Sequence, residues 1–317
     1  MGLSRSRKVG LGLAGIGGLV AFTGVAVPLS LRGPAETVPA VYVDDAATPS
    51  QLPEEGDDKA PLLTVMTLNL AHGRGLSWHQ GVLARKTIEK NLERIAVVLR
   101  REQPDIVALQ EADGPSIWSG NFDHVRYLAR NAGYEYCTRG EHVSGLGLHY
   151  GTAILSRIPL TEPLSVTFEP TLPTPSKGFL VASIRPQALP DLTLRVVSVH
   201  LDFARDGARR RQVAELARRL DKGAGPLIIL GDFNCEWSGA ESPLCQLAEG
   251  LELSTFQPLA REVVTFPGRK ARLDWILASR DLYFVKHDVL RDTLSDHCAV
   301  IARLRLASEQ CESLPSD

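Results

Sequence analysis

Apolar and polar positions alternate along residues 62–70 (LLTVMTLNL), which predicts a strand. Residues 87–103 place Ile88, Leu92, Ile95 and Leu99 at three- and four-residue spacing, so one helical face is apolar. Pro104 ends that helix, and the compact apolar run 105–110 (DIVALQ) reads as a buried strand. A second helix is predicted over 121–131, capped near Asn121. A third is predicted over 206–221, with Val213, Leu216, Ala217 and Leu220 facing inward. Strand-like runs recur at 152–156, 179–185, 192–200, 226–231, 273–278, 283–289 and 298–306, and no internal repeat is present. This order is neither strictly strand–helix–strand nor strictly hairpins. It suits a pair of mixed sheets with helices packed outside, a layered α/β sandwich.

The amino-terminal pattern is different. Residues 9–31 carry no charge and follow the basic cluster Arg5, Arg7 and Lys8. As a helix rising ~1.5 Å per residue this stretch spans roughly 34 Å, enough for the hydrocarbon core of a bilayer. Basic residues stay on the cytoplasmic side, which places the remainder of the chain outside the cytoplasm. Two readings fit: a retained anchor, or a signal peptide cleaved after Ala40. The run is longer than the usual ~7–15 apolar residues of a signal peptide, which favours the anchor. The expectation is therefore one transmembrane helix in residues 1–32. It makes a single-pass cell-membrane protein with a periplasmic or extracellular catalytic domain, secreted if the segment is cleaved. No cysteine lies in this region, which excludes a lipoprotein anchor. Residues 33–60, rich in Pro, Ala, Asp and Glu, read as a flexible linker, 61–306 as the folded domain and 307–317 as a disordered tail.

Charge narrows the partners. With 35 Lys and Arg against 37 Asp and Glu, the net charge is −2, which argues against a dedicated nucleic-acid binder but leaves room for a nuclease with a local basic patch. The five cysteines form no CxxC pair, so a structural zinc site is not expected. A Cys235–Cys245 bridge would suit an oxidising compartment, while inert thiols are the simpler reading.

Chemistry gathers where the strands end. Asn69 closes the first strand and Glu111 the second; His200 closes the run before Asp202; Asp232 and Asn234 follow an apolar strand in GDFN. Asp274 lies in LDWIL, and Asp296 and His297 lie in SDH before the last strand. Side chains at strand ends converge on one rim of a sheet, where a cleft can form. Carboxylates crowded there repel unless a cation or a proton intervenes, and oxygen ligands with few histidines select Mg²⁺, Mn²⁺ or Ca²⁺ over zinc. Phosphoester hydrolysis uses these types: a cation to neutralise phosphate, a carboxylate to orient water, and amide and imidazole groups to bind phosphoryl oxygens. Singly each is weak, since an Asp–Asn turn is commonly only a turn former.

Their joint order carries more. TLN at 67–69, QE at 110–111, GTAILSR at 151–157, VHLD at 199–202, GDFN at 231–234, LDWI at 273–276 and SDH at 295–297 resemble the ordered motifs of the endonuclease/exonuclease/phosphatase superfamily. That superfamily includes pancreatic-type DNases, abasic-site endonucleases, inositol polyphosphate 5-phosphatases and neutral sphingomyelinases. The resemblance covers essentially all of residues 61–306. It implies a four-layer α/β sandwich with two central mixed β-sheets flanked by helices, and a Mg²⁺ site between the sheets at which Mn²⁺ can substitute. It implies that Glu111 is the principal metal ligand with Asn69 beside it and Asp296 supporting. Asp232 would position or deprotonate the attacking water, and Asn234 would hold a phosphate oxygen. His297 would contact the scissile phosphate or act as base with Asp274 orienting its ring, and His200 would stabilise the phosphate or assist the leaving group.

Surrounding residues bear on the substrate. Trp78, Trp118 and Trp237 each follow a site residue closely, as lipid or base contacts at the cleft mouth or as local packing. Residues 140–150, with His142, His149 and glycine hinges, read either as a lid or as a plain surface loop. Arg209, Arg210, Arg211, Arg218 and Arg219 make one helix basic; a solvated face balanced by Asp206, Glu215 and Asp221 is the simpler reading. The expected function is a metal-dependent phosphodiester hydrolase, with a lipid phosphodiester slightly favoured and no obligate protein partner. DNA or RNA cleavage and inositol-phosphate dephosphorylation are the alternatives. A non-catalytic binding module is disfavoured because the acidic and amide set is complete.

Overall fold

The computed structural model describes residues 35–44, 62–79, 83–187, 189, 191–220 and 225–306. Fourteen strands and four α-helices are assigned within them. The strands are β1 (Ala35–Thr37), β2 (Val41–Tyr42), β3 (Leu62–Asn69), β4 (Ile106–Asp113), β5 (Tyr136–Gly145), β6 (Leu148–Ser156) and β7 (Thr161–Thr167). They continue as β8 (Gly178–Ile184), β9 (Leu194–His200), β10 (Leu227–Asp232), β11 (Leu253–Thr255), β12 (Asp274–Ser279), β13 (Leu282–Val289) and β14 (Val300–Leu306). The helices are α1 (Arg85–Glu102), α2 (His124–Ala132), α3 (Asp206–Arg219) and α4 (Pro243–Leu251).

Two seven-stranded mixed sheets result. One runs β1-β7-β8-β9-β10-β12-β11, the other β13-β14-β3-β4-β6-β5-β2. Three apolar clusters define the layers. Val65, Ala108 and Ile154 of one sheet meet Leu180, Val196, Ile228 and Ile276 of the other, so the sheets pack face to face. Ile88, Leu92, Ile95 and Leu99 of α1, with Val125 and Leu128 of α2, cover the outer side of the second sheet. Val213 and Leu216 of α3, with Leu244 and Leu247 of α4, cover the outer side of the first. The architecture is helices, sheet, sheet, helices. Strands buried on both faces explain why 105–110 is apolar without alternation.

Local signals set most boundaries. The α1 helix stops where Gln103 turns left-handed and its N–H caps the Leu99 carbonyl, one residue before Pro104. Ser242 caps α4 by accepting from the Cys245 N–H, with Pro243 at the first helical position. The α4 helix, nine residues long and largely apolar, is absent from the expected elements. The α2 helix begins at His124 rather than near Asn121, because Asp123 supplies the cap by accepting from the Arg126 N–H.

Two expectations are corrected. The span 33–60 is not flexible throughout: β1 pairs with β7, β2 pairs with β5, and Val38 N–H donates to Pro163 O at 3.1 Å. Edge backbone groups on β5 and β7 take partners there whatever the side-chain composition. Residues 140–150 are not a lid or a loop but the β5–β6 hairpin, turning at 145–148, with His142 buried against Thr152 and Thr167. Cys137, Cys235, Cys245 and Cys298 are free thiols, so no Cys235–Cys245 bridge forms. Residues 45–60, the tail 307–317 and the proposed anchor in 1–32 lie outside the described residues. No helix among the described residues is long and apolar enough to cross a membrane.

Candidate active site

Sheet register assembles the site. In the first sheet, Asp232 pairs with His200 on one side and with Asp274 on the other, so three functional side chains stand abreast at one sheet end. In the second, Asn69 pairs with Gln110 on the parallel neighbour β4. Beyond Gln110 the ladder slips by a β-bulge, and Glu111 takes a left-handed φ of 48°. A bulge redirects a side chain that strict alternation would send to one face. The two sheets meet at this end through Asn69, whose Nδ2 donates to Asp232 Oδ2 at 3.0 Å.

Asp232 is the hub. The same Oδ2 lies 3.4 Å from His200 Nε2 and 3.7 Å from His297 Nε2, while Oδ1 accepts from Asn234 N–H at 2.9 Å. Burial raises the Asp232 carboxyl to about 7 and Asp274 adds to that, against the pull of His297. His297 Nδ1 lies 2.9 Å from Asp274 Oδ2, and its ring rests 4.7 Å from Phe266. Burial opposes the imidazolium, but Asp274 and Asp232 outweigh it and lift His297 to about 10. The other Asp274 oxygen, Oδ1, is buried with no hydrogen-bond partner. His200 is pushed well below its ordinary value by burial and by Lys177, so it is neutral. Asn234 stands beside Asp232 with its side-chain amide donating to Leu201 O at 3.0 Å, which anchors the turn.

Glu111 faces this row from the second sheet. Its Oε2 is 3.3 Å from His72 Nε2 and its Oε1 3.9 Å from Lys177 Nζ. Burial opposes the carboxylate, yet His72 and Lys177 hold it ionised at about 2. Asp296 pairs with Arg74 at 2.6 Å. Ser295 fixes the turn between them by donating to Asn69 O at 2.7 Å and accepting from His297 N–H at 3.0 Å.

Six neighbours were not foreseen from sequence: His72, Arg74, Asp113, Tyr150, Lys177 and, in its inward position, Trp118. His72 Nδ1 bonds Asp113 Oδ1 at 2.6 Å, and Trp118 Nε1 donates to Asp113 Oδ2 at 2.8 Å. The His72 ring sits 4.8 Å from Trp118 and 4.7 Å from Tyr150. Left-handed φ values at Ala71 and His72 turn this segment back toward Glu111. His72 follows Asn69 by only three residues, which is the signal that could have found it. Lys177 had none: the β8–β9 pairing brings its Nζ to 3.1 Å from His200 Nε2, buried among groups distant in sequence. The next residue, Gly178, lets the backbone pass close to β7 and the His142 ring, since a Cβ there would strike the Val166 carbonyl and that ring. Of the other two tryptophans, Trp78 is 78% exposed and Trp237 packs 6.0 Å from the buried Trp275.

The donor set suits a hard cation. Glu111 and Asp296 present ionisable oxygens that keep partial access to solvent, while Asn69 Oδ1 accepts from Ala71 N–H at 2.9 Å as its Nδ2 donates to Asp232. Asp232, Asp274 and His297 also bring ligand atoms within 4.8 Å of one another. That trio reads better as a hydrogen-bonded dyad beside a carboxylate, because Asp274 already occupies His297 Nδ1.

A four-layer sandwich with carboxylate, amide and imidazole groups on one rim suits phosphoester chemistry. The chain belongs to the Endonuclease/Exonuclease/phosphatase family, whose sequence profile matches residues 66–297. The members are hydrolytic phosphoesterases that typically use divalent metal ions. The fold is shared with an endonuclease/exonuclease/phosphatase from Beutenbergia cavernae at 22% identity and a TM-score of 0.59, covering 77% of this chain and 72% of that one. A Bacteroides vulgatus endonuclease/exonuclease/phosphatase matches at 15% identity and TM-score 0.60, over 78% of this chain and 100% of that one. The human Nocturnin catalytic domain with bound sulfate anion matches at 18% identity and TM-score 0.57, over 85% and 98%. No curated protein sequence matches the chain significantly.

Proposed function

We propose that this protein hydrolyses a phosphodiester with the help of Mg²⁺, for which Mn²⁺ can substitute, and that the phosphodiester is carried by a lipid headgroup. The supporting observation is the convergence on Asp232 Oδ2 of Asn69, His200 and His297 at 3.0, 3.4 and 3.7 Å, with ionised Glu111 on the facing sheet. Glu111, Asn69 and Asp296 would hold the cation, which neutralises phosphate charge and polarises its oxygens. Asp232 orients the attacking water and takes its proton. His297, steered by Asp274, presents its Nε2 to a phosphoryl oxygen, and His200 and Lys177 offer further donors where negative charge builds up. Asn234 holds the GDFN turn and places its side chain beside the phosphate.

The lipid reading is supported by the uncharged amino-terminal stretch, while the basic helix does not separate lipid from nucleic acid. Arg209 and Arg210 pair with Asp206 at 3.6 and 2.7 Å, and Arg219 pairs with Glu215 at 3.5 Å. Two of these pairs share Asp206, so five arginines face two carboxylates and α3 stays basic, which suits an anionic headgroup surface as well as a nucleic-acid backbone. The test is a substrate panel on the full chain: sphingomyelin, phosphatidylinositol phosphates, plasmid DNA and bis-p-nitrophenyl phosphate, each with and without EDTA. Lipid phosphodiester cleavage that EDTA stops is the expected result. Cleavage of plasmid without lipid would transfer the reading to nucleic acid, and full turnover by Asp232→Ala would remove this site as the seat of chemistry.

A further inference from the structure

We infer that the rim carrying the active site is the face turned toward the bilayer, so that the cleft opens onto the membrane surface. This rests on the phosphoesterase reading of the cleft and on the anchor reading of residues 9–31. Only residues 32–34 separate that uncharged run from β1. At ~3.3–3.6 Å per extended residue, the first residue of β1 lies no more than about 14 Å along the chain from the end of the run.

Register decides which end of the sandwich that is. In β1 the first residue, Ala35, pairs with Val166, and Thr37 pairs with Leu164. At the same end of β7, Thr167 pairs with Gly178, and Gly178 pairs with His200. The chain therefore joins the sheet at its catalytic end. It does so three strands from the His200 strand, roughly 14 Å sideways at ~4.8 Å per strand. Had β1 paired in the opposite direction, the anchor would leave from the far end and hold the cleft away from the membrane.

The surface of this rim matches that placement. Ile117 and Leu146 are 70% and 61% exposed and adjoin each other, Ile117 N–H donating to Gly147 O at 2.9 Å. Across the cleft, Leu172 is 62% exposed on the β7–β8 connection, and Phe203 follows the His200 strand. Leu76 and Trp78 project beyond Asn69. Toward the opposite end the exposed large side chains are Tyr42, Tyr283 and Val285, two of which carry hydroxyls that suit water. Single exposed aliphatic side chains are ordinary on any soluble surface, and here several share the rim that carries the polar cleft. A bilayer interface receives them while leaving the polar groups at headgroup depth.

The test uses the full chain reconstituted in phosphatidylcholine–phosphatidylglycerol vesicles, with Cys235, Cys298 and Cys311 changed to Ser. An NBD label is attached at Ile117→Cys or Leu172→Cys, or at the exposed control positions Val97→Cys on α1 and Val285→Cys on β13. Headgroup-nitroxide lipid is expected to quench positions 117 and 172 several-fold more than 97 and 285. Equal quenching, stronger quenching at the controls, or failure of the chain to float with vesicles would overturn the orientation. Turnover of bis-p-nitrophenyl phosphate by the same preparations is read separately. If it is absent, the hydrolase reading fails whatever the labels report; if it is present with flat quenching, only the orientation fails.

Discussion

Nδ1 of His297 lies 2.9 Å from Oδ2 of Asp274, and this contact fixes which ring nitrogen faces Asp232. A carboxylate at Nδ1 holds the imidazole in one orientation and leaves Nε2 for the reacting group. Asp274→Asn should keep the fold and lower kcat on bis-p-nitrophenyl phosphate by about 10-fold to 10³-fold, while His297→Ala should cost ~10²–10⁴-fold, the range of a lost acid–base group. Circular dichroism of both variants should overlay the parent. A His297→Ala enzyme at parental rate would exclude the imidazole from the reaction.

Glu111 tests the metal assignment without reference to rate. Its carboxylate is ionised because His72 and Lys177 offset the cost of burial. Glu111→Gln keeps the shape and removes the charge, so the rise in melting temperature on adding Mg²⁺ or Mn²⁺ should shrink or vanish. An undiminished shift would place the ion elsewhere.

Lys177 is expected to act on substrate affinity. Its buried ammonium, disfavoured by burial but supported by Glu111 and Asp232, lies 3.1 Å from His200 Nε2. Lys177→Met preserves the aliphatic stem and should raise KM and lower kcat together, whereas a purely structural lysine would change thermal stability and leave both constants alone. Kinetics and calorimetry on the same preparation separate the two.

His142 makes stability depend on pH. Burial, reinforced by Lys177, lowers it to about 3, so the folded chain keeps the ring neutral. The unfolded chain takes up its proton near pH 6.5 and the folded chain only near 3, so the unfolded state binds more protons in between. Its contribution is unaffected above pH 6.5 and falls with acidification by up to about 1.4 kcal/mol per pH unit. Urea titrations at pH 7 and pH 5 should show a shallower loss in His142→Gln than in the parent. His200 and His287, also lowered by burial, add the same loss to parent and variant, so equal losses would show that His142 contributes none.

The sequence by itself determined the elements whose signals are local. The α1 face of Ile88, Leu92, Ile95 and Leu99, the stop at Pro104, the apolar strand that carries Glu111 and those ending in His200 and Asp232 all follow from spacing along the chain. The ordered motifs also marked Asn69, Asp274, Asp296 and His297, because strand ends share a rim once the strands align. Tertiary structure alone decided the rest. Lys177 reaches His200 and Glu111 only through the β8–β9 register, and His72 reaches Glu111 only because the chain turns back after Asn69 and β4 bulges at Glu111. The span 33–60 contributes β1 and β2 because open sheet edges supply backbone partners, an attraction indifferent to side-chain pattern. Periodicity reports which side of an element is buried; which elements then meet depends on pairing between distant strands, and no local window contains that information.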